Sequence, residues 1–268
     1  MDKKINRYFC IQPFVNTTTR IQGQNNVCCN INNFDSTIDR QSPGEFFHSD
    51  RVKNMREKML KGIKLDECSL CHYQEKMVNN SHRIEYNKYY NIKNDQPNEY
   101  YNKILKKLRL SDLDNPLYAE LHISNLCNLK CLTCNERDSS KFHAENKLLG
   151  ISDEPDVEYS DFDINKYKAL DSVIKRGLLF LDIRGGETLM VPEVKKILTE
   201  VDADMAKNIT LKIQTNGTIE PDKNWIAIFK KFKRTKVNLS IDAFGEDNHY
   251  VRFPSDWKKI LYTVDVLK

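Results

Sequence analysis

The stretch "CNLKCLTC", residues 127–134, decides how this chain is read. It places three cysteines at spacings of four and three, with no fourth beside them. Two cysteines would serve as a disulfide or as half of a zinc site. Three, carried at the end of the strand-like run "LYAELHIS" (117–124), describe a metal centre left one protein ligand short. Three thiolates hold three corners of a 4Fe–4S cube, and the fourth iron keeps an open position. Clusters used only for electron transfer are normally held by four cysteines, so an open iron suits direct binding of a substrate or cofactor. The alternative is a zinc ion completed by a fourth ligand from elsewhere.

Downstream of Leu117 the pattern alternates between strand and helix. "LLFLDI" (178–183) is an apolar run of buried-strand type, followed by "RGGE" and the helical "VPEVKKILTEV". That helix has Pro192 in its first turn and Val194, Ile197, Leu198 and Val201 on one face. "ITLKIQT" leads to Asn216–Gly217, then to "DKNWIAIFKKF" with Trp225, Ile228, Phe229 and Phe232 at helical spacing. "KVNLSID" is a fourth strand, and "SDWKKILYTVDVLK" a fourth helix with Ser255 as its expected cap. Strands alternating with helices predict an α/β fold of parallel βα units. In such folds the chemistry sits at the carboxyl ends of the strands. The loops CNLKCLTC, RGGET, TNGT and DAFGE all follow strands and are expected on one rim. The acidic run 151–164, "ISDEPDVEYSDFDI", breaks the rhythm and reads as a solvated insertion or a substrate loop.

Upstream, residues 1–83 hold the other five cysteines: Cys10, Cys28, Cys29, Cys68 and Cys71. "FVNTTTRIQGQNNVCC" reads as a hairpin turning at 23–26. "SDRVKNMREKMLKG" predicts a helix capped by Ser49 and stopped at Gly62, with Val52, Met55, Met59 and Leu60 on one face. "CSLC" follows. Residues 84–116, rich in Tyr, Asn and Lys, read as a solvated helix and linker. Domains are thus expected at 1–83 and 117–268, joined by 84–116.

Composition excludes several classes. The chain has 268 residues, 8 cysteines and a net charge of +4. The charges are mixed throughout, which is too mild for a nucleic-acid partner. No apolar run approaches the ~20 residues that span a bilayer, so no membrane role is expected. The opening "MDKKINRYFC" has no apolar signal-peptide core, and a cytoplasmic location is expected. In a reducing compartment, CxxC and CxxxCxxC spacings read as metal ligands before disulfides.

CxxxCxxC after a first strand, GGE some 50 residues later after a second, TNG after a third and SID after a fourth resemble the radical S-adenosylmethionine (SAM) enzymes. The resemblance implies a partial or full (β/α) barrel in which the open iron chelates SAM. It also implies reductive cleavage to a 5′-deoxyadenosyl radical that takes hydrogen from a substrate. Cys127, Cys131 and Cys134 would hold that cluster. Gly185 and Gly186 would let the backbone approach the methionine amino group, with Glu187 an acceptor near it. Asn216, Ser240 and Asp242 would reach the ribose, the last two expected on one strand and one face. Arg252 would meet the SAM carboxylate. The rival readings are an ordinary turn at Asn216–Gly217 and an ordinary strand end at Ser240 and Asp242. Thr133 stands where the family often has an aromatic residue, and Thr188 where proline is common. Four βα units are expected where the family core has six, from either a fragment or a short barrel. A partner or further segment would then cover the open strand edge.

The pattern Cys10, Gly23, Cys28, Cys68 and Cys71 resembles the auxiliary-cluster modules of the same enzymes, called SPASM and twitch. It implies a second 4Fe–4S cluster on Cys10, Cys28, Cys68 and Cys71, with Cys29 spare. A structural four-cysteine zinc site is the rival there. His48, His72 and His82 are expected to be ordinary residues, and Ser81 and Arg83 are candidate substrate contacts. The enzyme would take a peptide, a sugar or another small molecule as substrate, and electrons from a donor such as flavodoxin or ferredoxin. The other reading is a non-catalytic iron–sulfur or zinc protein.

Overall fold

The computed structural model describes residues 6–21, 24–31, 42–90, 92, 115–151, 174 and 177–268. Gly23, most of the 84–116 linker and all but the first residue of the acidic run 151–164 lie outside the described residues. The chain divides into two compact units, residues 1–18 with 24–119, and 19–23 with 120–268.

The first unit holds helices α1 (Gln12–Val15), α2 (Pro43–Phe47), α3 (Asp50–Leu60), α4 (Ser69–Val78) and α5 (His82–Tyr89), with strands β1 (Asn16–Thr19) and β2 (Asn25–Asn26). Phe14 and Val15 are helical rather than part of a hairpin strand, because Pro13 sits in the first turn of α1. Ser49 caps α3 as expected, accepting from the Val52 N–H, and Gly62 follows at φ 74°. Ser42 and Glu45 form a capping box on α2. Val52, Met55 and Met59 of α3 bury against Phe9, Phe14, Val27 and Phe46. Each such side chain contributes about 1.5–3 kcal/mol over exposure. A buried cation holds the helices together: Arg56 donates to the carbonyls of Pro13 (2.7 Å) and Phe47 (2.8 Å) and lies over the Phe47 ring. Burial lowers its pKa to about 10. Helix α5 is not merely solvated. Its buried Asn87 accepts from the Ile11 N–H (3.0 Å) and donates to the Phe9 carbonyl (2.9 Å), pinning both sides of Cys10.

In the second unit the four expected strands all form: β3 (Tyr118–His122), β5 (Phe180–Arg184), β6 (Thr210–Thr215) and β7 (Arg234–Leu239), side by side in that order. The β5–β6 and β6–β7 pairs are parallel. This is a mixed α/β architecture compatible with a partial (β/α) barrel. Leu121, Leu181, Ile183, Leu211 and Ile213 are fully buried. The described residues of this unit also form helices α6 (Phe142–Leu148), α7 (Pro192–Glu200), α8 (Ala203–Ala206), α9 (Lys223–Lys231), α10 (Glu246–Val251) and α11 (Trp257–Leu267). Helices α7 and α9 bury Val194, Ile197 and Leu198, and Trp225 and Ile228. The cap of α11 is Asp256, which accepts from the Lys258 and Lys259 N–H groups, rather than Ser255. Ser255 is buried and hydrogen-bonded to Asn248, so its hydroxyl is already engaged. Strand β7 ends the described sheet with its residues half exposed. Two short strands, β4 (Lys130–Cys131) and β8 (Arg252–Phe253), pair antiparallel.

Candidate functional site

Strand β3 runs directly into the cysteine loop, and the loop is tied down along its length. Ser139 donates to the Leu129 carbonyl (2.6 Å), the Cys134 N–H to the Cys131 carbonyl (3.0 Å), and the Leu132 N–H to the Val251 carbonyl (2.9 Å). Cys127, Leu129 and Cys131 form a buried cluster, with Cys134 packed against it. Burial pushes the Cys127 thiol up. The Cys131 thiol is raised by its hydrogen bond to Cys134, which is in turn lowered to about 7. The thiolate is the form that ligates metal, so the lowered member of the pair, Cys134, is the more readily ionised of the two.

The glycines of RGGE act through the backbone. Gly185 adopts φ 149°, and a Cβ there would stand 2.4 Å from the Ser124 carbonyl oxygen. A Cβ on Gly186 would stand 2.4 Å from the Leu126 oxygen and 2.6 Å from the Asn125 carbonyl. This closeness lets the Gly186 N–H reach Ser124 O (2.6 Å) and the Glu187 N–H reach Leu126 O (2.7 Å). RGGE is therefore clamped onto the three residues that precede Cys127. The Glu187 carboxylate is fully buried. It accepts from Leu189 N–H (3.1 Å), Thr215 Oγ1 (2.7 Å) and Asn216 N–H (2.7 Å). Burial raises its pKa despite these donors.

Asn216 closes the next link. Its Nδ2 donates to Asn128 Oδ1 (2.8 Å), Asn128 Nδ2 donates to Thr218 Oγ1 (2.8 Å), and Thr218 Oγ1 donates back to Asn216 Oδ1 (2.7 Å). Asn128 lies inside CNLKCLTC, so this ring of side chains joins the TNGT turn to the cysteine loop. Gly217 serves the turn at φ 76°. The loops after β3, β5 and β6 are thereby joined at one rim.

Ser240 and Asp242 lie past the end of β7, which stops at Leu239, and not on the strand. The last rung between the two strands is the Ser240 N–H donating to Thr215 O, the last residue of β6 (2.8 Å). Ser240 accepts from Gln214 (2.5 Å), and Asp242 is exposed. Arg252 follows α10: its Nε lies 2.8 Å from Asp242 Oδ2 in an ion pair off the hydrogen-bond axis, and its Nη1 lies 3.7 Å from Cys131 Sγ. Strand β8 thus carries a guanidinium to the cysteine loop through the pairing Cys131↔Arg252.

In the first unit Cys10, Cys28, Cys68 and Cys71 line one cavity, together with Val27, Met59, Glu67, Arg83 and Tyr86. Cys29 is not among its lining residues. No disulfide joins any of the eight cysteines. Burial raises the Cys10 thiol and pushes Cys68 up to about 12, and a hydrogen bond with Cys29 raises Cys28. Arg83 pairs with Glu75 and donates to the Arg7 and Phe9 carbonyls, holding the strand of chain that delivers Cys10. Ser81 caps α5 and bonds Glu75 (2.6 Å). Both residues therefore have structural work within this unit. Among the described residues, no three His, Cys, Asp or Glu side chains converge tightly enough to enclose a single ion.

Sequence reading missed the polar face of the sheet. Glu120, His122, Asp182, Arg184 and Lys212 contact one another across β3, β5 and β6. The signal was the alternation within "AELHI", "LDIR" and "LKIQ", which an apolar reading of 178–183 hides.

No family profile matches the chain. It is 26% identical over 130 residues to the GTP 3′,8-cyclase of Clostridium acetobutylicum, covering 48% of this chain and 36% of that protein. It is 28% identical over 135 residues to the antilisterial bacteriocin subtilosin biosynthesis protein AlbA of Bacillus subtilis, covering 50% of this chain and 26% of that one. A probable GTP 3′,8-cyclase of Methanococcus maripaludis is 26% identical over 140 residues, covering 52% and 38%. The chain thus spans well under half the length of the curated relatives it matches. These relatives are radical SAM enzymes, and the similarity supports that superfamily for this chain, with a 4Fe–4S cluster and SAM as the cofactors it implies. Among the described residues, no helix is long and apolar enough to cross a membrane.

Proposed function

We propose that this chain acts as a radical SAM enzyme, with Cys127, Cys131 and Cys134 as the cluster ligands. The observation that carries the reading is the clamp: three thiols on one loop, bonded by backbone to RGGE and by Asn128 and Asn216 to TNGT. When bound, the cluster supplies the electron that cleaves SAM, so that hydrogen can be taken from a substrate. The protein's own part is positioning. Cys134 is the cluster thiol whose pKa is lowered, by its hydrogen bond with Cys131. Arg252, beside Cys131, offers a cation suited to a carboxylate. Glu187, Thr215 and Asn216 fix the rim against which SAM would lie. Ser240 and Asp242, on the following loop, are the proposed ribose contacts.

A second 4Fe–4S cluster on Cys10, Cys28, Cys68 and Cys71 belongs to the same proposal, and their shared cavity supports it. The substrate is a peptide or a small molecule. One relative is named for GTP and another for the making of a peptide bacteriocin. A flavodoxin or ferredoxin is the proposed electron donor. The test is SAM cleavage. Reconstituted anaerobically and reduced with dithionite, the protein should release 5′-deoxyadenosine, and the Cys127/Cys131/Cys134→Ala triple variant should not. Equal product from both would remove the triad from the site.

A further inference from the structure

The β3–β5–β6–β7 sheet gives one face to the core and crowds the other with charge. Alternation sends Asp182 and Arg184, Lys212 and Gln214, and Lys236 and Asn238 to that second face. Register then sets Asp182, Lys212 and Lys236 side by side in one row across three strands. Lysines directly opposed on neighbouring strands repel and destabilise the sheet. Arg184 adds a third cation. Its guanidinium grips both oxygens of Asp182, at 3.3 and 3.1 Å, and lies 3.8 Å from Glu120. Lys212 stands 3.9 Å from the same Asp182, and Glu120 is also bonded to His122 at 2.8 Å. Burial first, then Lys236 and Arg184, depress the Lys212 pKa, with Asp182 opposing them.

An ordinary solvated face would leave its acids in water. Here the carboxylates are at the floor: the Glu120 and Asp182 side chains are 3% and 2% exposed, against 36% for Arg184 and 22% for Lys212. A ligand approaching this face meets cations, two of them placed against each other's repulsion. Repulsion of this kind is relieved by a bound anion.

We propose that Arg184, Lys212 and Lys236 form an anion subsite that seats a carboxylate or phosphate group of the substrate. Calling the ligand substrate rests on the radical SAM reading, but the subsite itself can be tested without it. Arg184 immediately precedes Gly185, which places the subsite next to the rim that carries the cysteine loop.

The experiment titrates the cluster-free full chain with inorganic phosphate and, separately, with acetate, at constant ionic strength, following the melting temperature. The wild type should show saturable stabilisation by at least one of the two. Phosphate alone would assign a phosphate-bearing ligand, acetate alone a carboxylate, and both a general anion site. Lys236→Gln should weaken the response at least fivefold, yet melt no lower than wild type without anion, because the repulsion is gone. Lys230→Gln, on helix α9 and outside this face, should respond as wild type. No saturable response to either anion, or a Lys236→Gln response equal to wild type, overturns the proposal. The cysteine triple variant should bind the anion normally, so loss of SAM cleavage and loss of the subsite are read separately.

Discussion

Replacing Gly186 with alanine puts a methyl group where the backbone of the neighbouring loop already stands. The new Cβ would meet Leu126 O at 2.4 Å and Asn125 C and O at 2.6 Å. All three are backbone atoms, so no flexible side chain can swing away. The loops must part, breaking the Gly186 N–H to Ser124 O and Glu187 N–H to Leu126 O bonds. Two hydrogen bonds at about 1 kcal/mol each, with overpacking of about 1–3 kcal/mol, give a loss of about 3–5 kcal/mol. For a unit of this size that lowers the melting temperature by about 10 °C. Both tryptophans, Trp225 and Trp257, lie in the second unit, so their fluorescence in a denaturant titration reports this unit alone. Gly150→Ala is the comparison: nothing lies within 4 Å of its Cβ, and its φ of 63° costs about 1 kcal/mol. If Gly186→Ala costs no more than Gly150→Ala, the clamp between RGGE and the cysteine loop is not there. A valine at Gly186 would therefore be a poor probe of SAM affinity, since it disturbs the cysteine loop before any ligand arrives.

Asn216→Ala and Asn128→Ala should each cost about 1–2 kcal/mol, and their double-mutant cycle should show coupling of about 1 kcal/mol, since each removes the Asn216 Nδ2 to Asn128 Oδ1 bond from the other's amide. Burial pushes the Glu120 carboxyl up, but His122 and Arg184 outweigh it and hold the pKa below 4.5. Its contribution is therefore present above that unfolded value and lost as pH falls through the folded one, and Glu120→Gln should flatten the acid limb of a stability–pH curve. Iron analysis of the reconstituted wild type should find about eight irons per chain, and the Cys127/Cys131/Cys134 triple variant about four. Cys29→Ala should leave the iron content unchanged, whereas Cys28→Ala should lower it; zinc in place of iron in the triple variant would make the first unit a structural zinc module.

Sequence by itself was enough for the parts of this protein that repeat at short range. The apolar run of β5, the strand-like stretches at β3 and β6 and the 3.6 period in α7 and α9 are local properties of the chain, and so are the Ser49 cap and the cysteine spacings. The four strands and their order along the chain followed from these. Tertiary structure decided what the residues do to one another. Asn128 and Asn216 are 88 positions apart and Glu187 and Asn216 are 29 apart, so no local pattern announces their bonds. The glycines of RGGE look in sequence like room for a ligand, yet the space beside them is filled by Ser124–Leu126. Asp256 and Ser255 are both good caps, and only the burial of Ser255 against Asn248 chooses between them. The row Asp182–Lys212–Lys236 depends on strand register, which is set by the packing of the opposite, apolar face and so becomes visible only once the sheet is assembled.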